Sequence, residues 1–316
     1  MSSLVLDRLL VMEAVRVTEA AAIAAWALAG RGDEKAADQA AVDAMRTALN
    51  ELPIDGRIVI GEGERDEAPM LYIGETVGRG GPRVDIALDP LEGTMLTAKA
   101  MGGALAVMAW APEGSLLNAP DTYMDKIACG PDYPAGLLDL DRGAGENVRA
   151  LAAAKGVDVS EITVCVLDRP RHAEIIGELR AAGARIYLIT DGDIAGVIDT
   201  ADAATGVDMY VGRGGAPEGV LACAALKCMG GQFQGRLVFR NDEERARAAG
   251  HGVTDFDRKY DLHDLVRAEA IFVATGVTTG ALLDGARMTG DFVYAHSLVT
   301  NSATGTVREV RLKRRV

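Results

Sequence analysis

Residues 84–94 read VDIALDPLEGT, and they are the most informative stretch of the chain. The apolar run at 84–88 predicts a buried strand that ends at Asp89. Pro90 has no N–H group to donate to a strand ladder, so we expect the ladder to stop there and the chain to turn. The stretch therefore predicts a strand that delivers an acidic side chain to a turn.

The acids of this turn have the pattern of a metal site. Gly93 allows a close approach of the backbone, so Asp89 and Glu92 can converge on one point. Hard divalent cations prefer oxygen ligands, and Mg²⁺ takes one or two carboxylates together with water and phosphate oxygens. Thr94 follows directly, with a hydroxyl that can orient a water molecule. The alternative is a capped turn that binds nothing.

Short apolar runs bounded by Gly or Pro predict further strands, and segments with a helical period predict helices. The strands are expected at 57–60, 84–88, 104–110, 162–167, 185–189, 207–211 and 271–274, with a last one in the tail around 307–312. The helices are expected at 4–29, 36–49, 171–182, 194–201 and 217–229. Their alternation indicates an α/β fold with α and β layers. Residues 241–264 are rich in charge, so we expect a surface excursion there.

The length of 316 residues favours two lobes. We place the boundary near residue 160. The first lobe, 1–160, then carries most of the candidate metal ligands. The second lobe, 161–316, is the one in which strands and helices alternate most clearly.

Composition excludes several classes of function. The net charge of −13 repels a nucleic-acid backbone, so we expect no nucleic-acid partner. The four cysteines include no C-x-x-C pair, which is typical of free thiols in a reducing compartment. The apolar stretch 20–29 is too short to span a bilayer. We therefore expect a cytoplasmic protein without a membrane partner.

Three more acids have positions that suit a metal site. Glu62 follows the predicted strand 57–60 directly, and Asp38 lies in the first turns of the predicted helix 36–49. Glu218 follows a glycine-rich turn, at the start of a helix opened by Pro217, where unpaired N–H groups suit a phosphate. Each acid alone is more often a solvated side chain or a partner of the helix dipole. Their number is what favours a shared site.

Four motifs in one order resemble class II fructose-1,6-bisphosphatases of the GlpX type. They are Gly61–Met70 (GEGERDEAPM), Asp89–Thr94 (DPLEGT), Asn118–Lys126 (NAPDTYMDK) and Gly214–Gly219 (GGAPEG). The resemblance runs from about residue 10 to the end of the chain. It implies the sugar-phosphatase fold, an αβαβα sandwich shared with inositol monophosphatases. It also implies hydrolysis of the 1-phosphate of fructose 1,6-bisphosphate, a small sugar bisphosphate, by a homodimer or homotetramer.

The resemblance also implies particular residues. Two or more Mg²⁺ or Mn²⁺ ions are expected on Asp38, Glu62, Asp89, Glu92 and Glu218. Substrate contacts are expected from Glu92, Gly93, Thr94, Tyr123, Arg169, Pro170, Arg171, Asp191, Gly192, Asp193 and Gly215. Thr94, Asp38 and Glu62 are the expected catalytic residues: Thr94 positions the attacking water, and one of the two acids takes its proton.

The substrate residues have suitable chemistry of their own. Arg169 and Arg171 can hold the 6-phosphate with forked guanidinium groups, the alternative being ion pairs with nearby acids such as Asp168 and Glu174. Asp191 and Asp193 can accept hydrogen bonds from sugar hydroxyls, and Tyr123 offers a phenol to a phosphate or a hydroxyl.

The chain departs from the family pattern at three places. Glu34, followed by Lys35, stands where the family usually has lysine. Arg213 stands where an apolar residue is common, and Met95 where a polar one is common. Whether Lys35 takes the place of the family lysine is open. These differences leave the choice among sugar bisphosphates open as well.

Two rival functions follow from the same residues. The first is another phosphatase of the superfamily, which acts on sedoheptulose 1,7-bisphosphate or on inositol phosphate. The paired arginines disfavour inositol phosphate, because they imply a second anionic group on the substrate. The second rival is a sugar-phosphate sensor without turnover, which would have no reason to keep both the carboxylates and Thr94.

Overall fold

The computed structural model of the chain describes residues 8–63 and 70–316. The chain divides into two compact units, one from Met1–Leu117 and Val266–Val316 and the other from Asn118–Leu265. This division does not coincide with the expected boundary near residue 160, because strands from the end of the chain pair into the same sheet as strands from its beginning. Such long-range pairing leaves no local mark in a sequence.

The described residues form helices and strands in alternation. The helices are α1 Arg8–Trp26, α2 Glu34–Leu49, α3 Thr94–Ala98, α4 Ala144–Lys155, α5 Ala173–Ala182, α6 Asp193–Ile198, α7 Ala216–Met229, α8 Asp242–Gly250 and α9 Leu262–Leu265. The strands are β1 Asp55–Ile60, β2 Thr76–Val77, β3 Arg83–Glu92, β4 Leu105–Pro112, β5 Tyr123–Cys129, β6 Thr163–Leu167, β7 Arg185–Ile189, β8 Met209–Gly215, β9 Gln232–Val238, β10 Lys259–Asp261, β11 Ile271–Gly276, β12 Arg287–Thr289, β13 Phe292–Asn301 and β14 Thr306–Arg315.

The first unit is a mixed sheet with helices packed on it. Its strand order is β12-β13-β11-β4-β3-β1-β2, with β14 paired to β13. Among the described strands of this sheet, β1 and β3 are parallel and the other pairs are antiparallel. Helices α1 and α2 pack against each other and against this sheet. Their apolar faces meet buried strand residues such as Ile58, Ile86, Trp110 and Val273 in one core. This core holds the ends of β1 and β3 in fixed positions.

The second unit has helices on both faces of its own sheet, in the strand order β10-β9-β5-β8-β6-β7. Side chains alternate across a strand, so successive residues of β6 meet different helices. Val164 and Val166 belong to the core formed with α4 and α5. Cys165 instead faces α6. A Cβ atom added at Gly196 of that helix would lie 2.9 Å from Cys165 Sγ. The predicted α/β sandwich class is confirmed.

Most of the predicted elements are present with shifted ends, and strand 185–189 is reproduced at both bounds. Residues 4–7 of the predicted first helix lie outside the described residues. Residues 241–264 are mostly exposed, as expected for a surface excursion, and they contain α8, β10 and α9, which the sequence did not predict. Among the described residues, no helix combines the length and the apolar character needed to cross a membrane.

The expectation that Pro90 ends its strand is wrong. Strand β3 runs on to Glu92, and its pairing with β4 shifts register between Asp89 and Glu92. Asp89 lies opposite Val107 and Glu92 lies opposite Leu105, so β3 uses one residue more than its partner over this stretch. This is a β-bulge, a position at which a strand tolerates a proline.

Candidate active site

The bulge in β3 presents two carboxylates to one point. Asp89 is half-buried and Glu92 is only 7% exposed, and each offers a carboxylate oxygen within 4.8 Å of the other. Asp89 Oδ1 also accepts a hydrogen bond from the Leu91 backbone N–H at 3.0 Å, which holds the side chain over the bulge. The extra residue re-aims the strand so that both acids converge, although an unbroken strand puts residues three apart on opposite faces.

Gly93 and Thr94 complete this segment. Gly93 has a φ of 88°, which is in the left-handed region that favours glycine, and it precedes the first residue of α3. Thr94 opens that helix and is half-buried, and the Thr97 N–H donates to the Gly93 carbonyl at 3.1 Å. Thr94 therefore follows the buried Glu92 by two residues. The start of α3 holds the backbone that carries its hydroxyl.

Asp38 lies on α2, whose start is tied to this segment. The Gly30 N–H donates to the Thr97 carbonyl, and the Gly32 N–H donates to the Ala98 carbonyl, both at 2.9 Å. Asp33 caps α2, since its Oδ1 accepts from the Ala36 N–H at 3.0 Å. The glycine loop between α1 and α2 thus joins the start of α2 to α3.

Glu62 follows β1 and completes a group of four acids in the first unit. Its N–H donates to the Leu71 carbonyl at 3.1 Å. Burial, and then the negative charges of Asp38 and Asp89, raise the pKa of Glu62 to about 8. Burial also raises the pKa of Asp38. The carboxyl group of Glu62 is therefore close enough to Asp38 and Asp89 for their charges to shift its pKa.

The donor set of this group fits hard divalent cations. All four side chains, those of Asp38, Glu62, Asp89 and Glu92, offer carboxylate oxygens, which are the ligands that Mg²⁺ and Mn²⁺ prefer. Several carboxylates close together repel one another, and a cation among them removes the repulsion. In the first unit, Asp89 and Glu92 are the two acids whose oxygens are close enough to share a cation, and Asp38 and Glu62 are further candidates.

Tyr123 is the first residue of β5 in the second unit, and the two neighbouring strands, β8 and β9, end beside it. It pairs with Gly215 of β8 on one side and with Val238 of β9 on the other. The Arg171 guanidinium lies over its ring, with Cζ 5.1 Å from the ring centroid. Arg171 also donates from Nε and Nη2 to the Arg213 carbonyl, at 3.1 and 2.8 Å.

Arg169 and Asp191 come together as an ion pair at the ends of β6 and β7. The Arg169 Nη2 lies 3.6 Å from Asp191 Oδ1, and about a third of each side chain is exposed. Neither Asp168 nor Glu174, the alternative partners, forms an ion pair with Arg169 or Arg171 among the described residues. Pro170, which lies between the two arginines in the sequence, begins the short 3₁₀ turn Pro170–His172.

A buried histidine holds this turn against β8. His172 Nδ1 lies 2.7 Å from the Leu167 carbonyl, and its Nε2 accepts from the Arg213 backbone N–H at 2.8 Å. Because Nε2 is an acceptor, Nδ1 carries the proton and the ring is neutral. Burial lowers the pKa of His172, which favours the same neutral form.

Asp193 is buried with partners inside the protein. Its carboxylate is 4% exposed and accepts from Lys126 Nζ at 2.6 Å and from the Tyr210 hydroxyl at 3.2 Å. Gly192 before it has a φ of 82°, and a side chain at Gly214 would overlap Asp193 Oδ2 at 1.9 Å. A hydrogen bond from a sugar hydroxyl to Asp193 stays a prediction, beside these two observed donors.

Glu218 lies in the first turn of α7, as the sequence predicts, with Gly215 as the N-cap residue of that helix. A Cβ atom at Gly215 would lie 1.9 Å from Glu218 Oε2. The carboxylate therefore folds back over the backbone at the helix start, and only glycine leaves room for it there.

Sequence reasoning did not identify three residues that arrange the second unit. His172 supports the arginine turn, Lys126 neutralises Asp193, and Arg240 lies over the Tyr123 ring. Lys126 closes the motif at 118–126, which was a usable signal. Nothing in the sequence around Arg240 separates it from other surface arginines.

Comparison with known proteins adds a decisive observation. Residues 8–314 match the family model described as bacterial fructose-1,6-bisphosphatase, glpX-encoded. The chain belongs to this family. The predicted enzyme class, a class II fructose-1,6-bisphosphatase that acts as a phosphatase on a small sugar phosphate, is thereby confirmed.

Individual members resemble the chain along nearly all of its length. A protein of Synechococcus sp. (strain RCC307) is 43% identical over 318 residues, which cover 96% of this chain and 95% of that protein. A protein of Synechococcus sp. (strain CC9311) is 43% identical over 316 residues, covering 95% and 94%. Both are named D-fructose 1,6-bisphosphatase class 2/sedoheptulose 1,7-bisphosphatase.

Proposed function

We propose that this GlpX-type phosphatase hydrolyses the 1-phosphate of fructose 1,6-bisphosphate in a metal-dependent reaction that yields fructose 6-phosphate and phosphate. One observation carries the metal dependence. Glu62 is half-buried near Asp38 and Asp89, and burial together with these charges raises its pKa to about 8, which marks a concentration of negative charge among the described residues. A phosphate ester, itself an anion, requires compensation of that charge before it can approach.

Two or more Mg²⁺ or Mn²⁺ ions are the proposed compensation. Asp38, Glu62, Asp89 and Glu92 of the first unit are the proposed ligands, and Glu218 is a further one supplied by the second unit. When bound, such ions neutralise phosphoryl oxygens and make a water molecule more acidic. The convergence of Asp89 and Glu92 at the β3 bulge supports this assignment.

The other roles fall to protein groups in the same segment. The Thr94 hydroxyl, fixed by the start of α3, accepts a hydrogen bond from the attacking water and orients it towards the phosphorus. Asp38 and Glu62 are the candidates to take the proton of that water, either directly or through the Thr94 hydroxyl. Phosphate leaves without a covalent intermediate on the protein.

Residues of the second unit are proposed to bind the sugar and the phosphate that is not hydrolysed. This set consists of Tyr123, Arg169, Pro170, Arg171, Asp191, Gly192, Asp193 and Gly215, together with Glu92, Gly93 and Thr94 of the first unit. The stacking of Arg171 on Tyr123 and the pairing of Arg169 with Asp191 support the assignment, because they hold cationic forks near the strand ends. Asp193, paired with Lys126, supports the loop that carries Asp191 and Gly192.

Sedoheptulose 1,7-bisphosphate is a second proposed substrate. The two relatives from Synechococcus carry both activities in their names. A ketose bisphosphate with one more carbon presents the same 1-phosphate and a second phosphate at the far end. The departures at Glu34, Lys35, Met95 and Arg213 are positions that can shift the balance between the two substrates.

The test is phosphate release from a panel of substrates by purified protein. Fructose 1,6-bisphosphate, sedoheptulose 1,7-bisphosphate and inositol 1-phosphate are assayed with Mn²⁺, with Mg²⁺ and after removal of metal by a chelator. We expect release from the first compound that vanishes on chelation and returns with metal. Binding of the bisphosphate without release would contradict the proposal and favour the sensor.

We also propose a cytoplasmic homodimer or homotetramer. Cys129, Cys165 and Cys223 are buried free thiols, which fits a reducing compartment. Burial raises the pKa of Cys129 to about 12, so this thiol stays protonated. Light scattering of the purified protein measures the oligomer, and a monomer would contradict that part of the proposal.

A further inference from the structure

The ring of Tyr123 carries a second guanidinium group besides that of Arg171. The Arg240 Cζ lies 5.4 Å from the ring centroid, compared with 5.1 Å for Arg171. Arg240 follows β9, whose residue Val238 is the strand partner of Tyr123. The three side chains therefore meet where β5 begins and where β8 and β9 end.

Arg240 is held in position by a buried carboxylate. Its Nε donates to Glu244 Oε1, and its backbone N–H donates to Glu244 Oε2 at 2.7 Å. Glu244 is 1% exposed, and its Oε2 also lies 3.0 Å from the hydroxyl of Thr122, the residue before Tyr123. Glu244 thereby joins Arg240 to the start of β5. Even so, 58% of the Arg240 side chain is open to solvent and to a ligand.

Arg171 is held from a different direction. It donates two hydrogen bonds to the Arg213 carbonyl on β8, and the Arg213 guanidinium is fixed in turn by Asp125 of β5, at 2.7 and 2.9 Å. Neither guanidinium depends on the other for its position. The two cations are thus brought to one ring by independent supports.

This arrangement has the chemistry of a phosphate site. Two guanidinium groups held at one ring concentrate positive charge there, and a nearby dianion offsets the repulsion between them. A guanidinium has five N–H donors in a planar fork that matches phosphate oxygens. Arg171 uses Nε and Nη2 in the contacts described above, and Arg240 uses Nε and Nη2 in its contacts with Glu244. The Nη1 nitrogen of each forms no hydrogen bond or ion pair with the described residues.

We propose that Arg240, together with Arg171, binds the phosphate that is not hydrolysed and so gives the enzyme its preference for bisphosphates over monophosphates. This inference rests on the proposed function and adds a residue that the sequence motifs do not include. Glu244 acts as the positioning residue of Arg240. The competing explanation is that the Arg240–Glu244 ion pair only stabilises the start of α8.

The test compares two substrates that differ only in the distal phosphate. The value of kcat/KM is measured for fructose 1,6-bisphosphate and for fructose 1-phosphate with wild-type protein and with Arg240→Ala. Loss of a charge-assisted hydrogen bond lowers the value for the bisphosphate by about tenfold to a hundredfold, while the value for the monophosphate stays within about twofold. Arg240→Lys keeps the charge without the fork, so we expect an intermediate loss.

Arg258→Ala is the matched control. Arg258 has the same local environment, with its Cζ 4.9 Å from the Tyr260 ring centroid and an ion pair to Asp264, but it lies on another tyrosine. We expect this variant to keep the substrate ratio of the wild type. Thermal unfolding of all variants checks that they are folded.

Two results would overturn the inference. The first is an Arg240→Ala variant whose kcat/KM matches that of an active wild type on both substrates. The second is an equal loss of kcat/KM on both substrates, which indicates a structural role. Absence of phosphate release by the wild type from either compound would instead reject the proposed function and, with it, this inference. The separate readouts keep the two failures apart.

Discussion

Two carboxylates, the half-buried Glu62 in the first unit and the buried Asp193 in the second, have opposite surroundings. Asp193 accepts hydrogen bonds from Lys126 and Tyr210, so the protein itself supplies the counter-charge. Glu62 has Asp38 and Asp89 as its charged neighbours, and burial together with these charges raises its pKa to about 8. A buried acid with a lysine partner is part of the framework, whereas a half-buried acid whose neighbours among the described residues are acids suits a cation from outside.

This difference explains how a protein of net charge −13 can act on phosphate esters. The first unit concentrates oxygen ligands for divalent cations. The second unit concentrates guanidinium groups at strand ends, with Arg171 and Arg240 on Tyr123 and Arg169 beside Asp191. Under the proposed function, the two units attract phosphate by different means, one through bound metal and the other through fixed side chains.

The largest effect is expected from Asp89→Ala. This change removes a ligand that converges with Glu92 at the bulge, and metal contributes several kcal/mol to charge stabilisation in such reactions, so kcat/KM falls by about a thousandfold or more. Phosphate release from fructose 1,6-bisphosphate with Mn²⁺ measures it. The variant should remain folded without metal and lose stabilisation by Mn²⁺. A near-normal rate would remove Asp89 from the site.

Lys126→Met tests the opposite kind of acid. The change leaves the 4% exposed Asp193 charged without a cation, which costs about 3–5 kcal/mol in the free energy of unfolding. Urea denaturation measures it, and the double variant Lys126→Met/Asp193→Asn should recover much of the loss. Lys155→Met is the control, because its ion pair with Asp208 is partly exposed and contributes about 1 kcal/mol or less. Equal losses in the two single variants would contradict the comparison.

A smaller loss of activity is expected from Thr94→Ala. Removing the hydroxyl that orients the water lowers kcat by about a hundredfold, the lower range for an assisted proton transfer. Metal binding should persist, because the carboxylates are unchanged, and Mn²⁺ titration followed by thermal unfolding measures that. Thr94→Ser retains the hydroxyl and should keep most of the activity. If serine were as poor as alanine, the hydroxyl would not be the reason.

The smallest effect is a pH dependence in the metal-free protein. Between its ordinary pKa of 4.5 and its folded-state pKa of about 8, Glu62 holds a proton in the folded state that it loses on unfolding. Stability therefore falls as pH rises through this window, by at most about 1.4 kcal/mol per pH unit for one group. Glu19 and Asp199, whose pKa values burial raises to about 7, add to the slope.

The contribution of Glu62 is the difference between the wild type and Glu62→Gln. We expect a shallower loss of stability with pH in the variant, measured by denaturation from pH 5 to pH 8. Added Mn²⁺ should reverse the wild-type trend, because metal displaces the proton. Identical pH profiles for the two proteins would show that Glu62 is not in the environment described.

Much of the fold was visible in the sequence, because buried strands are short apolar runs between turn residues. Strand β7 was also found from its apolar run, although its residues are half-buried or exposed at the edge of the sheet. Strand β5 was missed because Asp125 and Lys126 interrupt its apolar pattern, and the partner that allows Lys126 to be buried lies 67 residues away. Helix α8 was hidden by its charge, although Asn241 caps it through the Glu244 N–H.

The site was predictable where its chemistry is local and not where it depends on tertiary packing. The acids at 89 and 92 could be identified from one segment, but the bulge that aligns them depends on the pairing of β3 with β4. Arg169 and Arg171 were predicted from the family resemblance, and they follow a strand that the sequence also predicted. Arg240 was not, because its role follows from a strand pairing between Val238 and Tyr123.

The most direct test of the central claim is a crystal structure of the protein grown with Mn²⁺, with an anomalous difference map recorded at the manganese edge. We predict peaks within coordination distance of the carboxylates of Asp89, Glu92, Glu62 and Asp38. Protein from the same preparation must release phosphate with Mn²⁺. Activity with Mn²⁺ in the absence of any peak at these four acids would contradict the account.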